Sequence, residues 1–470
     1  MTFVKHIYRI LALALFAVAM VGCDEKVEED RPIIEIEIPE EDKELSTYTV
    51  MYYASGGGAA DVSAGRGLDL AIEMSMEYFE RRPLKRNVKF TACVKWSKGY
   101  DGKYTDGDGE TCRLYLDSEH REFDFELLGD NNYAINEPEN IAEFIRWSKV
   151  VAPSDRYIII FSGHGNGWHP EVGINDAIDG TRGILRDTDT GRYVSCEELN
   201  AALDMADTHF RMIFLGSCLM NTMEYVTALS QYCDYILASS HISIMFTTEL
   251  NYLVLMLERD LEDDSDKVFV DGIYNYLYQD INTTITNTDY IYESIDFVLT
   301  DSRKVDKIVQ ATKEFTDAIM ALYDENDAIG EELFAAKYGA TISDMEQKMA
   351  GAYFFLGRYM SDKEIYETEY LRQSFTYDIG DIASKAASVF NLEELKAKAD
   401  AIHKASKESQ SVCYATITVD KNKLHHSVTF TNAEKWAERN YDESGYEDSI
   451  FDQRTGWSRL LKRNNVPLKF

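Results

Sequence analysis

Tyr157-Ile158-Ile159-Ile160-Phe161-Ser162-Gly163-His164-Gly165-Asn166-Gly167-Trp168 carries the clearest fold signal in the chain. A continuous apolar run closed by glycines reads as a buried strand of a parallel sheet, covered on both faces. It stops at a histidine flanked by glycines, where backbone turns sharply and comes close to a ligand. A second run, Arg211-Met212-Ile213-Phe214-Leu215-Gly216-Ser217-Cys218, stops in the same way on a cysteine. In open α/β sheets ligands bind outside the carboxyl ends of the strands. Neighbouring strands ending in His164 and Cys218 therefore set a base beside a thiol.

Other strand-like runs occur at Tyr48 to Ser55, Asn87 to Trp96, Arg113 to Asp117 and Asp234 to Ser240. Helical periodicity lies between them, at Leu68 to Arg82, Pro138 to Val151 and Met220 to Tyr232. Ser195 and Glu198 make an S-x-x-E capping box for another helix, running through Met205. This alternation predicts a doubly wound, mostly parallel α/β sheet with helices on both faces. Gly56-Gly57-Gly58 follows the first strand and matches neither GxGxxG nor the P-loop spacing, so it reads as a turn at the sheet's carboxyl edge. From 263 to 470 helical periodicity dominates (Lys267 to Ile281, Ser302 to Tyr323, Leu392 to Lys407), with strand-like pieces near Ser294 to Leu299, Val412 to Val419 and Ser427 to Phe430. The expected division is a 46–262 α/β domain and a mainly helical 263–470 region packed on it.

The 470 residues are 45% apolar and 12% aromatic, which describes a globular chain. With 82 acids against 48 bases the formal charge is −34, a surface that repels phosphate backbones and argues against nucleic-acid binding. Lys5 and Arg9 precede the apolar run Ile10 to Met20, the pattern of a secretory signal over 1–22. Val21-Gly22-Cys23 resembles a bacterial lipobox, which implies lipidation of Cys23 and an acidic tether over 23–45. The expected location is thus an exported lipoprotein at the outer membrane or cell surface. Six further cysteines form no recognisable disulfide framework.

A cysteine attacks as thiolate, and a neighbouring imidazole lowers its pKa and stores the proton for the leaving group. Fifty-four positions separate His164 from Cys218, enough for one crossover between neighbouring parallel strands. Gly165 and Cys218 each offer a backbone N–H to a developing oxyanion. The plain alternative is a His-Gly turn and a small residue before a helix. A His164/His169 metal pair lacks a third ligand. No cofactor is expected, although the Asp101 to Glu110 loop (DGKYTDGDGE) carries enough acids for calcium or for an ordinary solvated hairpin. Arg182, Arg186 and Arg192 lie in the irregular stretch from His169 to Tyr193, which is expected to stay uncleaved.

These residues resemble the clostripain family of cysteine peptidases, in the clan of caspases, legumain and gingipains. The resemblance rests on Tyr48-Thr49-Val50-Met51-Tyr52, Asn136-Glu137-Pro138-Glu139-Asn140, Pro153-Ser154-Asp155-Arg156-Tyr157, His164-Gly165-Asn166-Gly167-Trp168, Cys218-Leu219-Met220 with Glu224, and Ala238-Ser239. It implies a caspase-like fold, a nucleophile at Cys218, an acid/base at His164, peptide or protein substrates, and cleavage after Arg or Lys. The chain departs from the family at the pocket. An acid two before the cysteine is replaced by Gly216, and Ser239 and Ser240 lead into a turn containing Phe246. Without an acid no charge partner justifies burying a guanidinium, so basic specificity is not expected. A catalytically silent surface protein that holds peptides in the same cleft is the second expectation.

Overall fold

The computed structural model describes residues 46–63, 67–81, 84–85, 87–117, 126–128, 133–165, 167–168, 183–240, 249–259, 265–287, 294–352, 354–355, 376–416 and 446–464. The first strand, β1 (Ser46–Ser55), leads through the three glycines into a short helix, α1 (Ala59–Ser63), and then α2 (Leu68–Arg81). Next come β2 (Val88–Lys95), β3 (Thr111–Leu116) and β4 (Glu126–Leu127). Helix α3 (Pro138–Val151) begins on Pro138, whose missing N–H costs nothing at a helix start. It delivers the chain to β5 (Ser154–Ser162). Helix α4 (Cys196–Ala206) has the capping box read from the sequence, Ser195 Oγ accepting the Glu198 N–H. It is followed by β6 (Phe210–Gly216), α5 (Met223–Leu229) and β7 (Cys233–Ala238).

The second half adds α6 (Glu249–Arg259), α7 (Asp266–Asn287), β8 (Ser294–Asp301) and α8 (Val305–Ile329). Shorter helices α9 (Glu331–Tyr338) and α10 (Ile342–Met349) come next, then the two-residue strands β9 (Phe354–Phe355) and β10 (Thr376–Tyr377). Helices α11 (Ile379–Val389) and α12 (Glu393–Ser409) lead to β11 (Gln410–Thr416), and α13 (Ile450–Thr455) and α14 (Trp457–Arg463) close the described chain.

Among the described residues one nine-stranded sheet has the order β11-β8-β7-β6-β5-β1-β2-β3-β4. Its central five strands, β7 through β2, pair in parallel. Antiparallel strands flank them on both sides: β8 and β11 at one edge, β3 and β4 at the other. The interior strands alternate between two cores, as period-2 side chains require. Ile159, Phe161, Ile213 and Leu215 join the core under α3, α4, α5, α8, α11 and α12. Ile158, Ile160, Met212 and Phe214 join the other, under α2, α6 and α7. The α/β fold with helices on both faces is therefore present. Two strand-like pieces of the second half, β8 and β11, are strands of the main sheet itself; the piece at Ser427 to Phe430 lies outside the described residues.

The chain runs from β1 outward to β2 and later returns to β5 on the other side of β1. The strand order reverses there, which makes the carboxyl ends of β1 and β5 the crevice where such sheets bind ligands. One boundary differs from expectation. The helix read from Met220 begins at Met223, because Asn221 spends its backbone N–H on the Ser239 carbonyl (2.8 Å) and Thr222 serves as N-cap.

Candidate functional site

The last rung of the β5–β6 ladder pairs Ser162 with Gly216. His164 and Cys218 each follow that rung by two residues. Strands about 4.8 Å apart thus carry them side by side at the carboxyl edge. Several contacts hold the two strand ends together. Ser217 Oγ donates to the Gly163 carbonyl at 2.9 Å. A Cβ on Gly165 would lie 2.6 Å from Ser217 Cβ and 2.8 Å from the Cys218 carbonyl oxygen, so only glycine lets the His164 turn abut the Cys218 peptide. Leu219 adopts a left-handed φ of 61°, strain of order 1–2 kcal/mol that turns the chain back just after Cys218.

Among the described residues, Cys93, Cys112, Cys196, Cys218 and Cys233 form no disulfide. Burial pushes Cys93 up to about 11 and Cys112 and Cys233 up to about 12, so those sulfurs stay protonated. Cys218 alone of the five is half-buried rather than buried.

His164 Nε2 is hydrogen-bonded to Asp61 Oδ2. The histidine side chain is 34% exposed and the aspartate only 6%. Asp61 sits in α1, held there by the glycine turn: Gly57 N–H donates to Asp69 Oδ2 (3.2 Å) and Gly58 N–H to Ser97 Oγ (2.7 Å). Gly58 has φ 88°, a conformation glycine reaches without penalty. Behind His164 its carbonyl accepts the Leu185 N–H at 3.1 Å, and Ile184 exchanges backbone bonds with Val194. Sequence reasoning missed Asp61, which lies 103 positions before His164. The available signal was the glycine triplet at a strand's carboxyl end.

Among the expected pocket residues, Gly216 is the last residue of β6, where a Cβ would meet the Phe161 carbonyl oxygen at 3.2 Å. Since Leu215 pairs with Ala238, Gly216 comes level with Ser239. Ser239 and Ser240 are buried, and Asn221, also missed, joins them: its backbone N–H reaches the Ser239 carbonyl and its Nδ2 donates to Ser240 Oγ (2.8 Å). Phe246, Arg182 and Cys23 lie outside the described residues. Arg186 Nε donates to the Gly191 carbonyl and Arg192 pairs with Glu137 and Glu198. In the Asp101 to Glu110 loop, the Glu110 carboxylate accepts the Thr105 hydroxyl and the Asp106 N–H, closing a turn on itself. Among the described residues no three of His, Cys, Asp or Glu gather where they could hold a metal.

Glu224, six residues past Cys218, is buried in α5. Tyr446 donates its hydroxyl to Glu224 Oε1 at 3.0 Å and meets the Trp168 ring edge-on at a 4.8 Å centroid distance. Trp168 follows His164 by four residues, so one tyrosine from the end of the chain touches the segments behind both strand ends. Burial pushes the Glu224 carboxyl up to about 7 despite that hydrogen bond.

The family model described as the clostripain family matches residues 102–463. No curated protein sequence matches the chain. A secreted C11 cysteine protease from Bacteroides thetaiotaomicron, "iotapain", superposes with a TM-score of 0.54 at 14% identity, over 87% of this chain and 99% of that one. An inactive zymogen C11 protease from Parabacteroides distasonis also gives 0.54, at 15% identity over 87% and 98%. The Bacteroides protease in complex with an irreversible peptide inhibitor gives 0.54 at 13% identity, over 88% and 100%. At these identities the likeness is one of fold.

Proposed function

The chain belongs to the clostripain family of cysteine peptidases, and we propose that it is an endopeptidase with Cys218 as nucleophile and His164 as general acid and base. His164 takes the thiol proton, and the Cys218 sulfur attacks the scissile carbonyl carbon. The tetrahedral oxygen is stabilised by the backbone N–H groups of Gly165 and Cys218. His164 returns the proton to the leaving amine, leaving a thioacyl-enzyme. Water then attacks the thioester, giving its proton to His164, and the acid leaves as the thiol re-forms. The observation carrying this reading is the shared rung, Ser162 with Gly216, from which both residues are displaced equally.

The row Ala54, Ser162 and Gly216, with Ser239 level beside it, is small and uncharged at the sheet edge beneath the pair. It supplies no carboxylate to a basic side chain, so Arg and Lys are not the residues expected before the cut. The N-terminal pattern ending at Cys23 supports export with a lipid anchor, in keeping with the secreted structural relative. A positional peptide library run against wild type and Cys218→Ala tests the proposal. Hydrolysis is expected in wild type alone, with little turnover after Arg or Lys. Hydrolysis surviving the substitution contradicts the nucleophile, and none with any peptide favours the peptide-holding surface protein instead.

A further inference from the structure

We infer that Asp61 is a positioning residue for His164: it accepts the Nε2–H of the ring, so that Nδ1 is the nitrogen turned to the Cys218 thiol. This inference rests on the peptidase reading and goes beyond a two-residue centre. The two side chains meet where the sheet reverses direction, Ala54 of β1 pairing with Ser162 of β5. Seven residues after Ala54 and two after Ser162, the chain brings Asp61 and His164 into hydrogen-bond contact.

Stability alone is a weak reason for this arrangement, because burying a carboxylate against an imidazole costs about what the pair returns. The surroundings are nevertheless built to keep Asp61 in place. A Cβ on Gly57 would lie 2.5 Å from Asp61 Oδ2 and 2.7 Å from its Cβ, so the glycine backbone packs directly on the acid. Asp69 fixes that backbone in turn, accepting from Gly57 N–H and from Ser97 N–H (2.9 Å) and Oγ (2.7 Å). Gly56-Gly57-Gly58, which resembled no phosphate loop, is thereby accounted for as the mount of Asp61.

The proton balance follows. In the resting ring Nε2 carries the proton that Asp61 accepts, and the Nδ1 lone pair takes the proton of the Cys218 thiol. The resulting imidazolium keeps its Nε2–H on an ionised Asp61, whose charge favours the thiolate–imidazolium pair over the neutral pair. A carboxamide at position 61 retains size but offers no charge and permits the opposite tautomer.

The test compares wild type, Asp61→Asn, His164→Ala and Cys218→Ala in two assays: peptide hydrolysis, and the pH dependence of Cys218 alkylation by iodoacetamide. For Asp61→Asn we expect kcat to fall roughly 10²- to 10⁴-fold with KM within about twofold. The acid limb of the alkylation profile should move up by about one pH unit or more. A merely structural aspartate would leave that limb in place, and an unchanged limb and kcat would overturn the inference. Should His164→Ala and Cys218→Ala still be inactive, the peptidase reading would survive that result. Hydrolysis by Cys218→Ala would overturn both. If Asp61→Asn does not fold, ring ¹⁵N resonances of His164 in the Cys218→Ala protein decide. A neutral ring protonated at Nε2 supports the inference, and one protonated at Nδ1 overturns it.

Discussion

Glu224, buried behind the site, makes folding stability depend on pH. Burial of its carboxyl raises the pKa, the nearby Asp452 carboxylate adds repulsion, and the Tyr446 hydroxyl donated to Oε1 offsets only part of this. The native state therefore holds a proton on Glu224 up to about pH 7, whereas the unfolded chain loses it near 4.5. Between those values the folded state binds more protons, so stability is fully present below pH 4.5 and declines as pH rises toward 7. The total is roughly 3 kcal/mol at about 1.4 kcal/mol per pH unit. Glu224→Gln should reduce the fall of urea-unfolding free energy across pH 5 to 7, leaving the part due to Asp378, and be more stable than wild type at pH 8; a slope as steep as wild type's would contradict the assignment. At this scale the sequence was half legible. His164 and Cys218 announce themselves because apolar runs stop on them. Asp61 and Asn221 do not, because their roles depend on which strand ends adjoin and on chain turns that no spacing encodes.

Among elements, the segment 183–194 is what backs His164, and β2 is what holds that segment. Lys95, the last residue of β2, places Nζ 2.9 Å from Asp187 Oδ2, 2.6 Å from Asp189 Oδ2 and 2.8 Å from the Tyr133 carbonyl. Burial alone would raise the Asp187 carboxyl; the hydrogen bonds from Lys95 and the Thr190 backbone hold it below the usual carboxylate range instead. Ser55 Oγ adds a bond to the Arg186 carbonyl at 2.6 Å. Lys95→Met would strand a buried carboxylate, and we expect a loss of about 3–5 kcal/mol in denaturant unfolding. A change under about 1 kcal/mol would show that the loop is held by other means. The strands and helices themselves follow from periodicity, and the capping box at Ser195 was readable residue by residue. The lysine's partner was not, since 92 positions separate Lys95 from Asp187.

On the scale of the molecule, the second half completes the sheet. Strand β8 pairs with β7, and β11 with β8, so a chain ending after β7 would expose a long hydrogen-bonding edge. Phe451, Trp457, Leu460 and Leu461 near the end of the chain belong to the same core as β5 and β6. We propose that 46–262 and 263–470 are parts of one cooperative unit. Urea unfolding followed by tryptophan fluorescence and by far-UV circular dichroism should give coincident transitions; two separated transitions would contradict this. The helical character of the second half was legible from periodicity. Its entry into the sheet was not, because antiparallel edge strands are specified by partners far away in sequence.

In the proposed mechanism, peptide-bond cleavage passes through an acyl group on Cys218. Acid quenching during turnover of an activated peptide ester, followed by mapping of the adduct by mass spectrometry, tests it most directly. A substoichiometric acyl mass is expected on the peptide carrying Cys218, and none when Cys218 is replaced by alanine. Turnover with the acyl group on another residue, or with Cys218 absent, would contradict it.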